Sequence, residues 1–257
     1  MAFQQVPRLT RAWHASIAIV VLVALIVQLW VAVEVPGSPA AHAVGTLAGA
    51  PLAGRFVRVL SFFTIQSNIL SAIVSGQLAR HVDRDGPVWR AVRLASLVGI
   101  AITGVIYSTV LAAVHEPHGW KEIFSNTVFH YVVPFMMVVG WLVWGPRPRI
   151  EARTIALSLL YPVAWVAYTL VDGAVTSWYP YPFLDVVSHG YATVLVNGAL
   201  VVVALGLVTA LYRLGDRYLP AAPRQPTADR AQARRSDAGL SMAQGADVND
   251  QMRPSES

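Results

Sequence analysis

The chain contains no cysteine. Disulfides, thiolate metal sites and a cysteine nucleophile are therefore all excluded. Charge is scarce as well: Asp, Glu, Lys and Arg make up 13% of the 257 residues, against about 25% in soluble domains. Hydrophobic residues reach 55%, and composition alone moves the chain from the soluble class to the membrane class. The formal charge of +5 raises the question of nucleic acid, which the distribution of the cations answers.

Six apolar runs approach the roughly 20 residues needed to cross a bilayer, near 12–33, 57–78, 92–114, 124–144, 152–171 and 189–212. The nineteen Lys and Arg residues are sorted unevenly between the connections. Sixteen fall in the N-terminus, the second loop (Arg80, Arg84, Arg90, Arg93), the fourth loop (Arg147, Arg149, Arg153) and the C-terminal end, leaving Arg55, Arg58 and Lys121 on the other side. This positive-inside asymmetry predicts an all-α membrane protein of six transmembrane helices with both termini cytoplasmic. The basic balance is then topology, and no nucleic-acid partner is implied. Residues 1–11 form the cytoplasmic N-terminus, 12–214 the membrane domain and 215–257 a cytoplasmic tail. That tail, rich in Ala, Pro, Gln, Ser, Asp and Arg without apolar periodicity, is expected to be disordered. "SPAAHAV" at 38–44 resembles a signal-peptidase site. The preceding run, however, exceeds the 7–15 residues of a signal h-region, so the first run is read as a span.

The cytoplasmic connections are too short for a soluble catalytic domain, so any function needing polar groups belongs inside the bundle. Trp120, Trp178, Tyr179 and Tyr181, in the third and fifth loops, suit an aromatic belt at the membrane interface. The second run then poses a problem. "SFFTIQSNILS" at 61–71 carries Ser61, Thr64, Gln66, Ser67, Asn68 and Ser71, where each unsatisfied polar group is costly. Thr64, Ser67, Asn68, Ser71 and Ser75 share one helical face, and the serines read as a packing stripe. Ser96, Gly99, Thr103 and Tyr107 on the third span read in the same way.

His130 is the ionisable group of the fourth span, with Asn126 and Pro134 one turn to either side. An ionisable residue inside a span is a functional candidate by default. Thr64 lies six residues past Arg58 and His130 six past Phe124, about 9 Å into each helix at 1.5 Å per residue. His189, Thr193 and Asn197 reach a comparable level on the sixth span at i, i+4, i+8. A threonine hydroxyl becomes a nucleophile when a neutral His takes its proton, and acyl transfer also needs oxyanion donors. Backbone amides within a helix are already bonded, so Asn68, Asn126 and Asn197 are the candidate donors. Asp185 and His189 are candidates for the group that orients the base.

At these residues a family resemblance emerges. "FFTIQSN" on the second span, "NTVFHYVVPF" on the fourth and "YPYPFLD" before the sixth resemble the Pr6Pr integral membrane proteins of bacteria. These are relatives of the eukaryotic androgen-induced and androgen-dependent membrane proteins, threonine hydrolases of fatty acid esters of hydroxy fatty acids. The resemblance covers about 12–212. It implies an intramembrane lipid-ester hydrolase of the bacterial plasma membrane that uses Thr64 as nucleophile, His130 as base and no cofactor. Where the eukaryotic motif has an acid shortly after its Thr, this chain reads Ile65, Gln66, Ser67, Asn68. The alternatives are a non-catalytic membrane protein that binds lipid or a partner, and a small transporter built on Pro134 and Pro162 kinks. A metal site would have to gather His115, His118, His130 and His189, and Pro117 spoils a helical His pair in "HEPH".

Overall fold

The computed structural model describes residues 2–35, 44–145, 147 and 149–220. Most of "SPAAHAV", and the tail from 221, lie outside them. The described residues are helical, with no strand among them. Helix α1 (Ala2–Glu34) precedes a short α2 (Leu52–Ser61) and α3 (Phe63–Arg80). Helix α4 (Pro87–Ile106) runs on into a π turn, Tyr107–Leu111. Helix α5 (Gly119–Thr127) continues through a second π turn, Val128–Val132, into α6 (Val133–Trp144). Helices α7 (Ala152–Ser158) and α8 (Leu160–Thr176), a 3-10 turn at Pro182–Leu184 and α9 (Val186–Tyr218) complete the order.

Five of these stretches are long and apolar enough to cross a membrane: Arg8–Glu34, Pro87–Leu111, Gly119–Trp144, Ala152–Thr176 and Val186–Tyr218. A sixth exists if α2 and α3 form one span, and these two are bent by 71°. The expected continuous helix at 57–78 is thus corrected to two helices that break at Phe62, whose backbone is extended (φ −65°, ψ 130°). No glycine or proline marks the break; the liberated backbone groups find other partners. In an unbroken helix the Leu60 and Ser61 carbonyls would accept from residues 64 and 65. Instead Leu60 O accepts from Gln66 Nε2 at 2.9 Å and Ser61 O from Trp165 Nε1 at 2.9 Å. Gln66, off the polar face of α3, is therefore a cap for α2.

Helix α4 is central and touches α3, α6, α7 and α9, while α1 lies along α3. Large apolar side chains such as Leu195, Leu200 and Leu207 of α9 point outward, while Ser67, Ser71, Ser75 and Ser96 are fully buried beside apolar residues such as Leu94 and Ile100. Outward-facing leucines with buried serines suit helices packed in lipid, where close approach and hydrogen bonds hold neighbours together. Ser71 Oγ meets Ser96 Oγ at 3.2 Å, Ser67 Oγ meets the Tyr161 hydroxyl at 3.1 Å, and Ser75 Oγ donates to Met137 Sδ. Gly104 brings α4 against the neighbouring helix. A Cβ there would stand 3.1 Å from Pro134 Cβ and 3.2 Å from the His130 carbonyl oxygen.

The cations tie the two ends. At one end, Arg90 pairs with Asp85 at 2.7 Å, and Arg147 caps α6 through Trp141 O and Leu142 O. Asp216 Oδ2 accepts from the Arg149 and Ile150 amides at 2.7 Å. At the other end, Arg55 donates to the Ala32 and Val33 carbonyls at the end of α1 and to Val35 O just beyond it, and Arg58 donates to Thr46 O and Ala48 O. Lys121 pairs with Glu34 at 2.5 Å over the face of Trp30. Each of these three cations thus meets a local structural need.

Candidate active site

A cavity of about 380 Å³ opens at the end of the bundle formed by residues 44–47, 111–115 and 180–182. Its polar lining includes Gln28, Thr46, Thr64, Tyr107, His115, Ser125, Asn126, His130 and Tyr181. The size falls within the range of small-molecule sites.

Thr64 and His130 meet on its wall, Thr64 Oγ1 lying 3.3 Å from His130 Nε2. The sequence placed Thr64 well inside a continuous helix; the break at Phe62 puts it in the first turn of α3 instead. There its amide has no intrahelical partner and donates to the Tyr181 hydroxyl at 3.1 Å. The same phenol oxygen is 3.1 Å from Thr64 Oγ1. This overturns the assumption that backbone donors near Thr64 are consumed by the helix. The positive end of the α3 dipole also faces this wall.

His130 sits in the π turn of the α5–α6 span. Pro134 offers no N–H to the His130 carbonyl, and the helix widens immediately before it, a local feature often found at functional positions. His130 Nδ1 is 3.0 Å from the Asn126 carbonyl, which can only accept. The ring proton therefore resides on Nδ1, and Nε2 presents a lone pair to Thr64. A second π turn starts at Tyr107, whose ring stacks on His130 with centroids 3.8 Å apart and planes 23° apart. The Tyr107 hydroxyl accepts from Asn126 Nδ2 at 2.7 Å and lies 3.2 Å from His115 Nδ1.

The remaining sequence candidates divide. Asn126 lines the cavity and its carbonyl meets His130 Nδ1; its Oδ1 has no partner among the described residues. Asn68 is fully buried, but its Nδ2 donates to Thr64 O at 2.8 Å and Phe129 O at 3.3 Å, so it braces helices and does not face the hydroxyl. Asp185 is also buried, and caps α9 by accepting from Val187 N and Ser188 Oγ. Asn197 donates to Phe183 O at 3.0 Å, and His189 is exposed. Neither lines the cavity. The alignment of His189 with Thr193 and Asn197 fails because Gly190 (φ 72°, ψ 161°) interrupts the helix between them. His115 and His130 line the cavity, whereas His118 and His189 do not.

Two residues escaped the sequence reading. Tyr107 looked like the end of a packing stripe. Tyr181 looked like an interface aromatic, yet Trp178, Tyr179 and Tyr181 are all buried and only Trp120 is exposed. Burial pushes the Tyr181 phenol up to about 12, so it remains a protonated donor. Thr64 and Tyr181 also line a second pocket, of about 50 Å³ and almost wholly apolar, between α4, α8 and α9. The pair thus forms a wall shared by a polar-lined cavity and an apolar crevice. Comparison with protein-family models, curated proteins and solved structures finds no match for this chain.

Proposed function

We propose that this protein hydrolyses lipid esters through an acyl-enzyme on Thr64, with His130 as general base. The observation that carries the reading is the 3.3 Å approach of Thr64 Oγ1 to the unprotonated His130 Nε2 beside an open cavity. Thr64 Oγ1 attacks the ester carbonyl as its proton passes to Nε2. Collapse then expels the alcohol, which takes that proton. Water next gives a proton to Nε2 and attacks the acyl carbon. The acid leaves, and Thr64 regains its hydrogen.

The resemblance of the "FFTIQSN", "NTVFHYVVPF" and "YPYPFLD" segments to the Pr6Pr and androgen-induced proteins supports the same chemistry and a bacterial plasma-membrane location. Charge asymmetry supports six spans with both termini cytoplasmic, so the cavity opens outward. The crevice between α4, α8 and α9 suits an acyl chain arriving from lipid, and the cavity suits water and the alcohol portion.

The test is labelling of the purified chain by a fluorophosphonate probe, alongside turnover of a panel of lipid esters. Thr64→Val keeps the branched shape and removes the nucleophile. It should abolish both signals without lowering yield. Turnover undiminished in Thr64→Val sinks the hydrolase reading. Ester binding without turnover by the parent would favour a non-catalytic lipid-binding protein.

A further inference from the structure

We infer that the Tyr181 hydroxyl is the oxyanion donor of this site, a catalytic residue that turns from Thr64 Oγ1 onto the carbonyl oxygen as the tetrahedral intermediate forms. The inference rests on the Thr64 acyl-enzyme reading and goes beyond it by naming the group that stabilises the developing charge.

The proton order leads to it. His130 Nδ1–H is committed to the Asn126 carbonyl, so Nε2 accepts from the Thr64 hydroxyl. The Thr64 amide donates to the phenol oxygen. The phenol proton is then left to point at Thr64 Oγ1, 3.1 Å away. Four groups form one directed chain, from the Thr64 amide through Tyr181 and Thr64 Oγ1 to His130. When Oγ1 bonds to the ester carbon and loses its proton to Nε2, it becomes a poor acceptor. Negative charge appears one bond further on, on the former carbonyl oxygen. Rotation about the phenol C–O bond alone brings the Tyr181 proton onto that oxygen.

The ring needs no rearrangement. It stacks on Phe183 (5.3 Å, 5°) and meets the edge of Phe62 at 5.7 Å. A donor fixed in advance by its aromatic neighbours is the arrangement that stabilises a transition state most, because nothing reorganises as charge develops. Donation from the Thr64 amide polarises the phenol and strengthens its O–H as a donor. Among the rival amides, Asn68 Nδ2 spends both protons on Thr64 O and Phe129 O, Asn197 lies off the cavity, and Asn126 Nδ2, with one proton on Tyr107, has no bond to Thr64 Oγ1 such as Tyr181 has.

The experiment compares the parent chain, Tyr181→Phe and Thr64→Val, purified in detergent, on one hydrolysed ester. Tyr181→Phe should lower kcat by about 100- to 1000-fold with KM within about twofold. Affinity for a long-chain trifluoromethyl ketone, which forms a tetrahedral adduct with Thr64, should fall by a similar factor, while affinity for the non-hydrolysable ether analogue stays constant. Ring-fluorinated tyrosines at position 181 keep the hydroxyl and the packing. Their kcat should track phenol acidity, which a purely structural role would not produce, and this arm decides the matter if Tyr181→Phe does not fold. Unchanged kcat and ketone affinity in Tyr181→Phe, or no trend across the fluorotyrosines, overturns the inference while an inactive Thr64→Val leaves the nucleophile standing. Equal turnover by parent and Thr64→Val overturns both.

Discussion

Thr64 differs from the other polar residues of its helix in what its hydroxyl touches. Ser71 Oγ returns to the Ser67 carbonyl at 2.8 Å and reaches Ser96, as a helix-packing serine does. Thr64 Oγ1 lies between a ring nitrogen and a phenol on a cavity wall. Thr64→Ser should therefore keep part of the turnover, losing only the methyl that restricts χ1. His130→Ala should abolish it, and the Thr64/His130 double change should be little worse than either single change in a kcat measurement, since a nucleophile and its base act as one unit. A double variant much worse than both singles would mean that the two residues act independently. The residue types were legible in the sequence, but the place of Thr64 in the first turn of α3 was not. The contribution of Tyr181 was not, because an aromatic in a loop between two spans has the same composition whether it faces lipid or folds inward.

At the scale of elements, the break at Phe62 frees the Thr64 amide from helical bonding, so that it donates to Tyr181. "SFFTIQSN" contains no helix breaker, so no local rule predicts the bend. It depends on Trp165, more than 100 residues away in sequence, and on Gln66 to take the carbonyls that the bend frees. Trp165→Phe keeps the ring but leaves Ser61 O without this partner, which should cost about 1–3 kcal/mol, read as a lower melting temperature. An unshifted melting point would show that the bend does not need this cap. Gly190 is the converse case: a visible glycine, but one whose positive φ only the structure reveals. Gly104 permits the close approach of α4 that stacks Tyr107 on His130. Gly104→Val should thus lower kcat more than it lowers yield, because it separates the two π turns that meet there.

Over the whole molecule, hydropathy made legible five helices long and apolar enough to span, with a sixth only as the bent α2–α3 pair, and the cations explain how its ends are held. Reporter fusions after residue 85 should be cytoplasmic, and fusions after 118 and 178 exported. The reverse pattern would turn the cavity toward the cytoplasm. Asp85, between the second and third spans, is held well below the usual carboxylate range, first by its hydrogen bond with Arg90. A carboxylate with a depressed pKa adds stability above its unfolded pKa and loses it as pH falls toward the folded one. Asp85→Asn should accordingly melt below the parent at neutral pH. The gap should close as the pH drops through and below the ordinary carboxylate range, and a gap that persists at low pH would point to a role other than charge.

Lys121, clasped between Glu34 and Trp30, is the one lysine in the sequence. With no thiol in the chain, it is also the one side-chain target for amine- or thiol-seeking electrophiles. With the α-amine blocked, a fluorophore coupled to Lys121 and a second on any introduced cysteine would report a single distance. That makes the cavity end of this bundle unusually open to spectroscopic measurement without first removing native reactive groups.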